Sequence, residues 1–398
     1  MVPMNGACDD RFACVRDAFE KTLTEGEGGA SAAVFIDGEP VVDLWGGHAD
    51  RERTRPWERD TLVNVWSTSK TMTNLCALIL ADQGAIDLYA PVSKYWPEFA
   101  AAGKADVQVR HLLSHTSGLA GWDRPLRAPE QIYDWELCTS LLAAQAPWWE
   151  PGTKSGYHVL SQGFLVGEVI RRVTGHSVAT FFREQVAGPL GADFHFGLPA
   201  EHDHRVSNAF RTHVETLTPE QERMRAKVIG EPDVLDHPEE IVSTRQWRAA
   251  DIPAGNGHGN ARSVATIQSV LACGGQARGV RLLSEHGCRA VFDQQSDGRD
   301  LILDRQLRFG MGYALAEGEL PMAGPRTCYW GGAGGSLVYL DLDARMVVAY
   351  VMNHMISTGG LNTTGDNRAT SLVIAAYNAL GAESRTALRS TCRARAGR

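Results

Sequence analysis

Strand-forming segments stand at the two ends of this 398-residue chain, and helix-forming segments fill its middle. Strands from both termini can share one sheet only if the middle is set aside as an insertion, so this order constrains the fold more than any single motif. Near the N-terminus, Phe12, Val15, Ala18, Phe19 and Leu23 recur close to a 3.6-residue period and predict a helix over 11–25. Residues 30–36, an Asp37-Gly38 turn and residues 41–45 predict a β-hairpin. The middle predicts helices over 107–113, 132–146, 159–174 and 178–186, joined by Pro/Gly loops. Segment 199–250 is polar and charged and reads as helices and loops over a surface or cleft. Further helices are predicted over 263–273, 284–292 and 370–381, and β-like runs over 310–316, 336–342 and 346–352, the last two as an antiparallel hairpin.

The expectation is an α+β fold: an antiparallel sheet flanked by helices, built from 1–75 and 250–398, with an inserted all-helical domain over 76–249. The five-arginine tail at 384–398 reads as a flexible basic extension. A net charge of −8 gives no electrostatic reason to expect nucleic acid or an anionic membrane as a partner. No stretch approaches 18 apolar residues, and the N-terminus lacks a basic segment followed by an apolar one. A cytoplasmic protein is therefore expected. Eight cysteines without C-x-x-C spacing read as reduced structural thiols. The pairs His111/His115 and His202/His204 lack the H-E-x-x-H context of a metal site, so no metal or other cofactor is expected.

Ser67 and Lys70 form an S-x-x-K where a helix starts, ending near Gly84. Residues at i and i+3 share a helix face, which puts the amine within reach of the hydroxyl. A serine needs a neighbouring base to become a nucleophile, and a desolvated lysine can lose its proton where arginine cannot. Only six of the 39 Lys+Arg are lysines, so a lysine here is informative. An S-x-x-K alone is weak, since one is expected by chance roughly one time in three, and a helix N-cap is the lesser alternative for Ser67.

Three other segments supply company: Leu112-Leu-Ser-His-Thr-Ser-Gly-Leu119, Pro151-Gly-Thr-Lys-Ser-Gly-Tyr157-His158 and Trp330-Gly331-Gly332-Ala333-Gly334-Gly335-Ser336. With these four motifs in order, residues 15–380 resemble the serine β-lactamase and penicillin-binding-protein superfamily, and most closely its class C-like branch of family VIII carboxylesterases. The resemblance implies Ser67 as nucleophile, Lys70 as the amine beside it and Tyr157 as proton shuttle. It also implies an oxyanion hole from the Ser67 and Ala333 amides, and Trp330, Gly331 and Gly332 as the third motif lining the substrate. Trp122, Trp148 and Trp149 could wall an acyl or alcohol pocket or simply pack the core, and Asn260 could border the site. His115, Ser117 and His158 read as structural.

Two departures bear on substrate. The second motif is Tyr157-His158-Val159, where a β-lactamase usually has Tyr-x-Asn, and Trp330 stands where the third motif carries Lys. Losing that cation disfavours an anionic β-lactam and favours neutral esters. The implied activity is hydrolysis of carboxylic esters through an acyl-enzyme. An acyltransferase or amide synthase passing the same acyl group to an alcohol or amine is the alternative. Weak β-lactam turnover and a non-catalytic binding module stand further off. No G-x-S-x-G or G-x-G-x-x-G occurs, which removes the α/β-hydrolase and dinucleotide readings.

Overall fold

The computed structural model describes residues 2–26, 28–126, 128–212, 218–229, 238–316, 320, 322–356 and 367–381. A nine-stranded sheet takes its first three strands from the N-terminal end: β1 (Met4–Cys8), β2 (Ala30–Ile36) and β3 (Glu39–Gly46). The C-terminal end supplies β4 (Ser296–Arg299), β5 (Gln306–Phe309), β6 (Ala314–Leu315), β7 (Thr327–Gly331), β8 (Leu337–Asp341) and β9 (Met346–Met352). Their spatial order is β1-β3-β2-β9-β8-β7-β6-β5-β4, and every neighbouring pair is antiparallel. The termini meet where β2 pairs with β9 in a seven-residue register from Ala30↔Met352 to Ile36↔Met346.

Strand β9 is apolar along its whole length and every one of its residues is buried, and in β2 only Ser31 is polar. A strand reads that way only when both faces of the sheet are covered. Helix α1 (Ala13–Glu25) packs against the C-terminal α6 (Asn367–Leu380), while α5 (Ala261–Ala272) lies on β9 and β2. Between the strand groups run α2 (Ser69–Asp82), α3 (Trp135–Ala144) and α4 (Ser161–Thr174), with α4 touching both of the others. Glu168 of α4 is buried yet satisfied. It accepts from Trp135 Nε1 at 2.8 Å and forms ion pairs with Arg171 and Arg172, both at 2.7 Å.

Several strands were not foreseen. Met4–Cys8 carries little β propensity and becomes a strand only as an edge partner of β3, with Gly6 at φ +119°. The run over 310–316 is mostly a turn. Gly310 N–H donates to Tyr313 O at 2.9 Å and Gly312 takes φ +85°, so only β6 remains of the expected strand, with β5 ending just before it. The third-motif aromatics close β7 rather than lead into β8, since the glycines after them make the reversal. Within 199–250, helices such as Pro219–Ile229 are joined by a two-residue strand, Phe210–Arg211, parallel to His354–Met355. The basic tail at 384–398 lies outside the described residues.

Candidate active site

Residues 66–70 are held in place before any chemistry is considered. Val63–Asn64 pairs with His258–Gly259, and Val65 N–H donates to Gly257 O at 2.9 Å. Asn64 Nδ2 donates to Gly255 O, and Ser69 Oγ accepts from Gly257 N–H at 2.9 Å. The glycine-rich 255–260 segment is therefore a clamp on the start of α2, and its Asn260 N-caps α5 by accepting from Ser263 N–H. Trp66 takes φ +51°, a conformation that a bulky residue adopts only when its surroundings impose it. That bend carries the chain into the short turn Trp66–Thr68, which places Ser67 just ahead of α2.

Lys70 is buried, with Nζ 3.2 Å from Ser67 Oγ, 2.6 Å from Val159 O and 2.9 Å from Ala254 O. Burial pushes its ammonium well below the usual 10.5. The two carbonyls can only accept, so they consume two N–H bonds of a neutral amine and leave its lone pair facing Ser67. A neutral amine held this way would present its lone pair to the serine hydroxyl.

Tyr157 is also buried, and its hydroxyl lies close enough to Ser67 for the serine to act on its ionisation. Lys70 Nζ lies 4.9 Å from the centre of the tyrosine ring, and Trp330 Nε1 donates to the phenol oxygen at 3.4 Å. Burial raises the phenol above its usual 10, against the opposing influence of Ser67 and Trp330. His115 meets the ring edge-on at 4.9 Å, and its Nδ1 accepts from His158 N–H at 3.1 Å, so its proton sits on Nε2. His158 in turn lies 2.5 Å from Gly156 O through Nδ1 and 2.7 Å from Ser117 Oγ through Nε2. Burial depresses both imidazoles, His158 to about 3, so both are neutral props for the tyrosine.

The third motif docks onto the serine turn through Ser336, which donates to Val65 O at 2.7 Å and lies 3.0 Å from Thr68 Oγ1. Gly332 is required by this approach. A Cβ there would fall 2.4 Å from both Ser336 Oγ and Val65 O. Its absent side chain makes room for protein, whereas the sequence reading assigned that room to substrate. Gly331 lies in β7, paired with Leu337.

Ser67, Lys70, Tyr157 and Trp330 therefore converge, with Ala333 in the turn after Gly332. Trp330 is buried among Tyr157, Phe309 and His115 rather than presented on an open wall. Trp122 is a correction. It is fully buried against Phe164 with its N–H given to Cys138 O at 3.1 Å, a core position that offers a substrate nothing. Sequence reasoning missed the Val159 and Ala254 carbonyls, because a backbone acceptor carries no residue signature. It also missed Asp300, whose Oδ1 accepts from Tyr157 N–H at 3.0 Å. Among the described residues no three His, Cys, Asp or Glu side chains are grouped to hold a metal ion.

The Beta-lactamase family model matches residues 15–370. The chain belongs to the β-lactamase family. With that membership the expected class, a serine hydrolase of the β-lactamase superfamily, stands. The esterase/beta-lactamase LipL of Mycobacterium tuberculosis is 35% identical over 365 residues, covering 88% of this chain and 83% of LipL. A crystal structure of a family VIII carboxylesterase superposes with TM-score 0.87 at 40% identity, covering 95% of this chain and all of that one. A penicillin-binding-protein homologue from Caulobacter crescentus gives TM-score 0.84 at 36% identity, again covering 95% of this chain and all of the other.

Proposed function

We propose that the chain hydrolyses neutral carboxylic esters through an acyl-enzyme on Ser67. The observation that carries this is the buried Lys70 amine, tied down by two carbonyls with its remaining valence 3.2 Å from Ser67 Oγ. Lys70 takes the serine proton as Oγ bonds to the ester carbon, and the Ser67 and Ala333 amides hold the oxyanion. Such donors contribute about 3 kcal/mol each. Collapse breaks the bond to the alcohol oxygen, which receives the Tyr157 proton, and the Lys70 ammonium returns a proton to the phenolate. In the second half, Lys70 deprotonates water, the hydroxide attacks the acyl carbon, and Ser67 leaves with the proton from Lys70.

The substrate reading is supported by Trp330, a neutral residue at the third motif whose N–H is turned inward to Tyr157. The family VIII carboxylesterase and LipL likenesses support it as well. Replacing water by an amine or alcohol gives the transferase version, with the same acylation residues. A cytoplasmic setting belongs to the proposal too, supported by the seven free thiols among the described residues. No helix among those residues is long and apolar enough to cross a membrane.

Mass spectrometry after incubation with a fluorophosphonate tests the nucleophile: a single adduct on Ser67 is expected, and its absence from active protein overturns the proposal. Turnover of p-nitrophenyl butyrate with added amine then separates hydrolysis from transfer. Butyrate is the expected main product, and a predominant amide identifies a transferase.

A further inference from the structure

Asp300 sits in the hairpin turn between β4 and β5, far from every sequence motif, and its side chain is completely buried. One oxygen, Oδ1, collects three backbone N–H groups: Tyr157 at 3.0 Å, Ile302 at 3.0 Å and Leu303 at 2.9 Å. The other oxygen, Oδ2, is buried without a hydrogen-bond partner. A turn of this kind can be closed by Asn or Ser, so an ionisable carboxyl left half-unsatisfied in the interior is more than the hairpin needs. The tie is reinforced at the backbone, where Leu301 N–H donates to Ser155 O at 2.9 Å, two residues before the tyrosine. The turn thereby grips the Ser155–Tyr157 segment at two backbone points.

We propose that Asp300 is a positioning residue for the reaction, fixing the Tyr157 backbone so that the phenol oxygen meets Ser67. The inference rests on the proposed role of Tyr157. Tyr157 sits on a short irregular segment before α4, with no helix or strand of its own to set its direction. The groups around its ring are Lys70 from α2, His115 from the loop after 109–113 and Trp330 from β7; His115 holds the flanking amides, accepting from Gly156 N–H at its carbonyl and from His158 N–H at Nδ1, and none of the three bonds the amide of residue 157 itself. The amide–carboxylate bond does, and charge-assisted bonds of that type are about twice as strong as neutral ones.

The test is a double-mutant cycle on the full chain, with kcat and KM read on ethyl butyrate, whose alkoxide leaving group needs the phenol proton. Asp300→Ala removes the anchor and is expected to lower kcat about 100-fold with KM within about twofold, the cost of a small misplacement of a reacting group. Asp300→Asn retains an acceptor oxygen without its charge and is expected to recover most of this, ending about fivefold below the parent enzyme. In a Tyr157→Phe background both losses should shrink to less than about twofold, because a residue that acts through the phenol has nothing left to position. Unchanged kcat in either single variant, or an undiminished loss in the Phe background, overturns the assignment. Should Asp300→Ala fail to fold, the Asp300→Asn arm decides by the same criteria. Full activity in Tyr157→Phe alone would instead remove Tyr157 from the reaction, a failure distinct from that of Asp300.

Discussion

The Ser67–Lys70 half of the site and the Tyr157 half solve the same problem by different means. In the first, the hydroxyl and amine are three residues apart and the geometry of the α2 start brings them to 3.2 Å, so little outside that helix is needed beyond a clamp and two carbonyls. In the second, a single phenol is held by His115, Trp330, Asp300 and Phe309's neighbourhood, drawn from segments up to 173 residues from it. The first half is rigid by construction. The second is rigid only by packing, so its tolerance to change should depend on which contact is removed.

The comparison is broken most severely at Lys70. Lys70→Ala should lower kcat on p-nitrophenyl butyrate by about 10³–10⁴, the upper range for loss of a positioned general base. Lys70→Arg should be nearly as poor, because a guanidinium does not deprotonate. Recovery by Arg to within about tenfold of the parent rate would mean that positive charge, rather than proton acceptance, is what the site requires.

The pH dependence sharpens the same point. Lys70 must be neutral to accept the serine proton, and burial lowers its pKa, so kcat/KM should fall as pH drops through that lowered value. His115 and His158 are themselves depressed by burial and should contribute no limb near 6.5. Tyr157 is raised above 10, so the phenol keeps its proton and the profile should stay flat to about pH 9. A decline between pH 7 and 9 would show that an ionised group other than Lys70 limits the reaction.

Next comes Tyr157→Phe. Its loss should be about 10²-fold on an ethyl ester, whose alkoxide needs a proton, and clearly smaller on a nitrophenyl ester, whose leaving group does not. Equal losses on both would place the phenol in serine activation alone.

These halves also differ in how far the sequence reveals them. Ser67 and Lys70 are legible because one helical turn converts spacing directly into proximity. The antiparallel sheet built from both ends was legible for a similarly local reason: β2, β8 and β9 carry largely apolar runs, and β3 follows β2 across a two-residue turn. Met4–Cys8 and Ser296–Arg299 did not, because edge strands of mixed composition exist through their partners. Tyr157 and Trp330 could be named from motif resemblance, but their mutual contact could not, and Trp122 went astray because a tryptophan in a loop looks alike whether it lines a cleft or fills a core. Asp300 has no motif at all. Its importance lies in a hydrogen bond to a backbone amide 143 residues away, which only the folded chain displays.

The mildest perturbation, and the one that best separates packing from hydrogen bonding in the tyrosine half, is Trp330→Phe. The indole N–H reaches the Tyr157 oxygen at 3.4 Å, at the long end for such a bond, so losing it should cost little. A phenyl ring retains most of the contact with Tyr157 and Phe309, whose centroids lie 5.1 and 5.4 Å from the indole. A fall in kcat of only about two- to fivefold with nearly unchanged melting temperature is expected, in keeping with the worth of one neutral hydrogen bond. Trp330→Ala is the contrasting arm: it empties a buried aromatic box at a cost of about 3–5 kcal/mol in stability. If the Phe variant were as damaged as the Ala variant in kcat, the N–H would be holding the phenol oxygen in place, and the tyrosine half would depend on a directed bond rather than on packing.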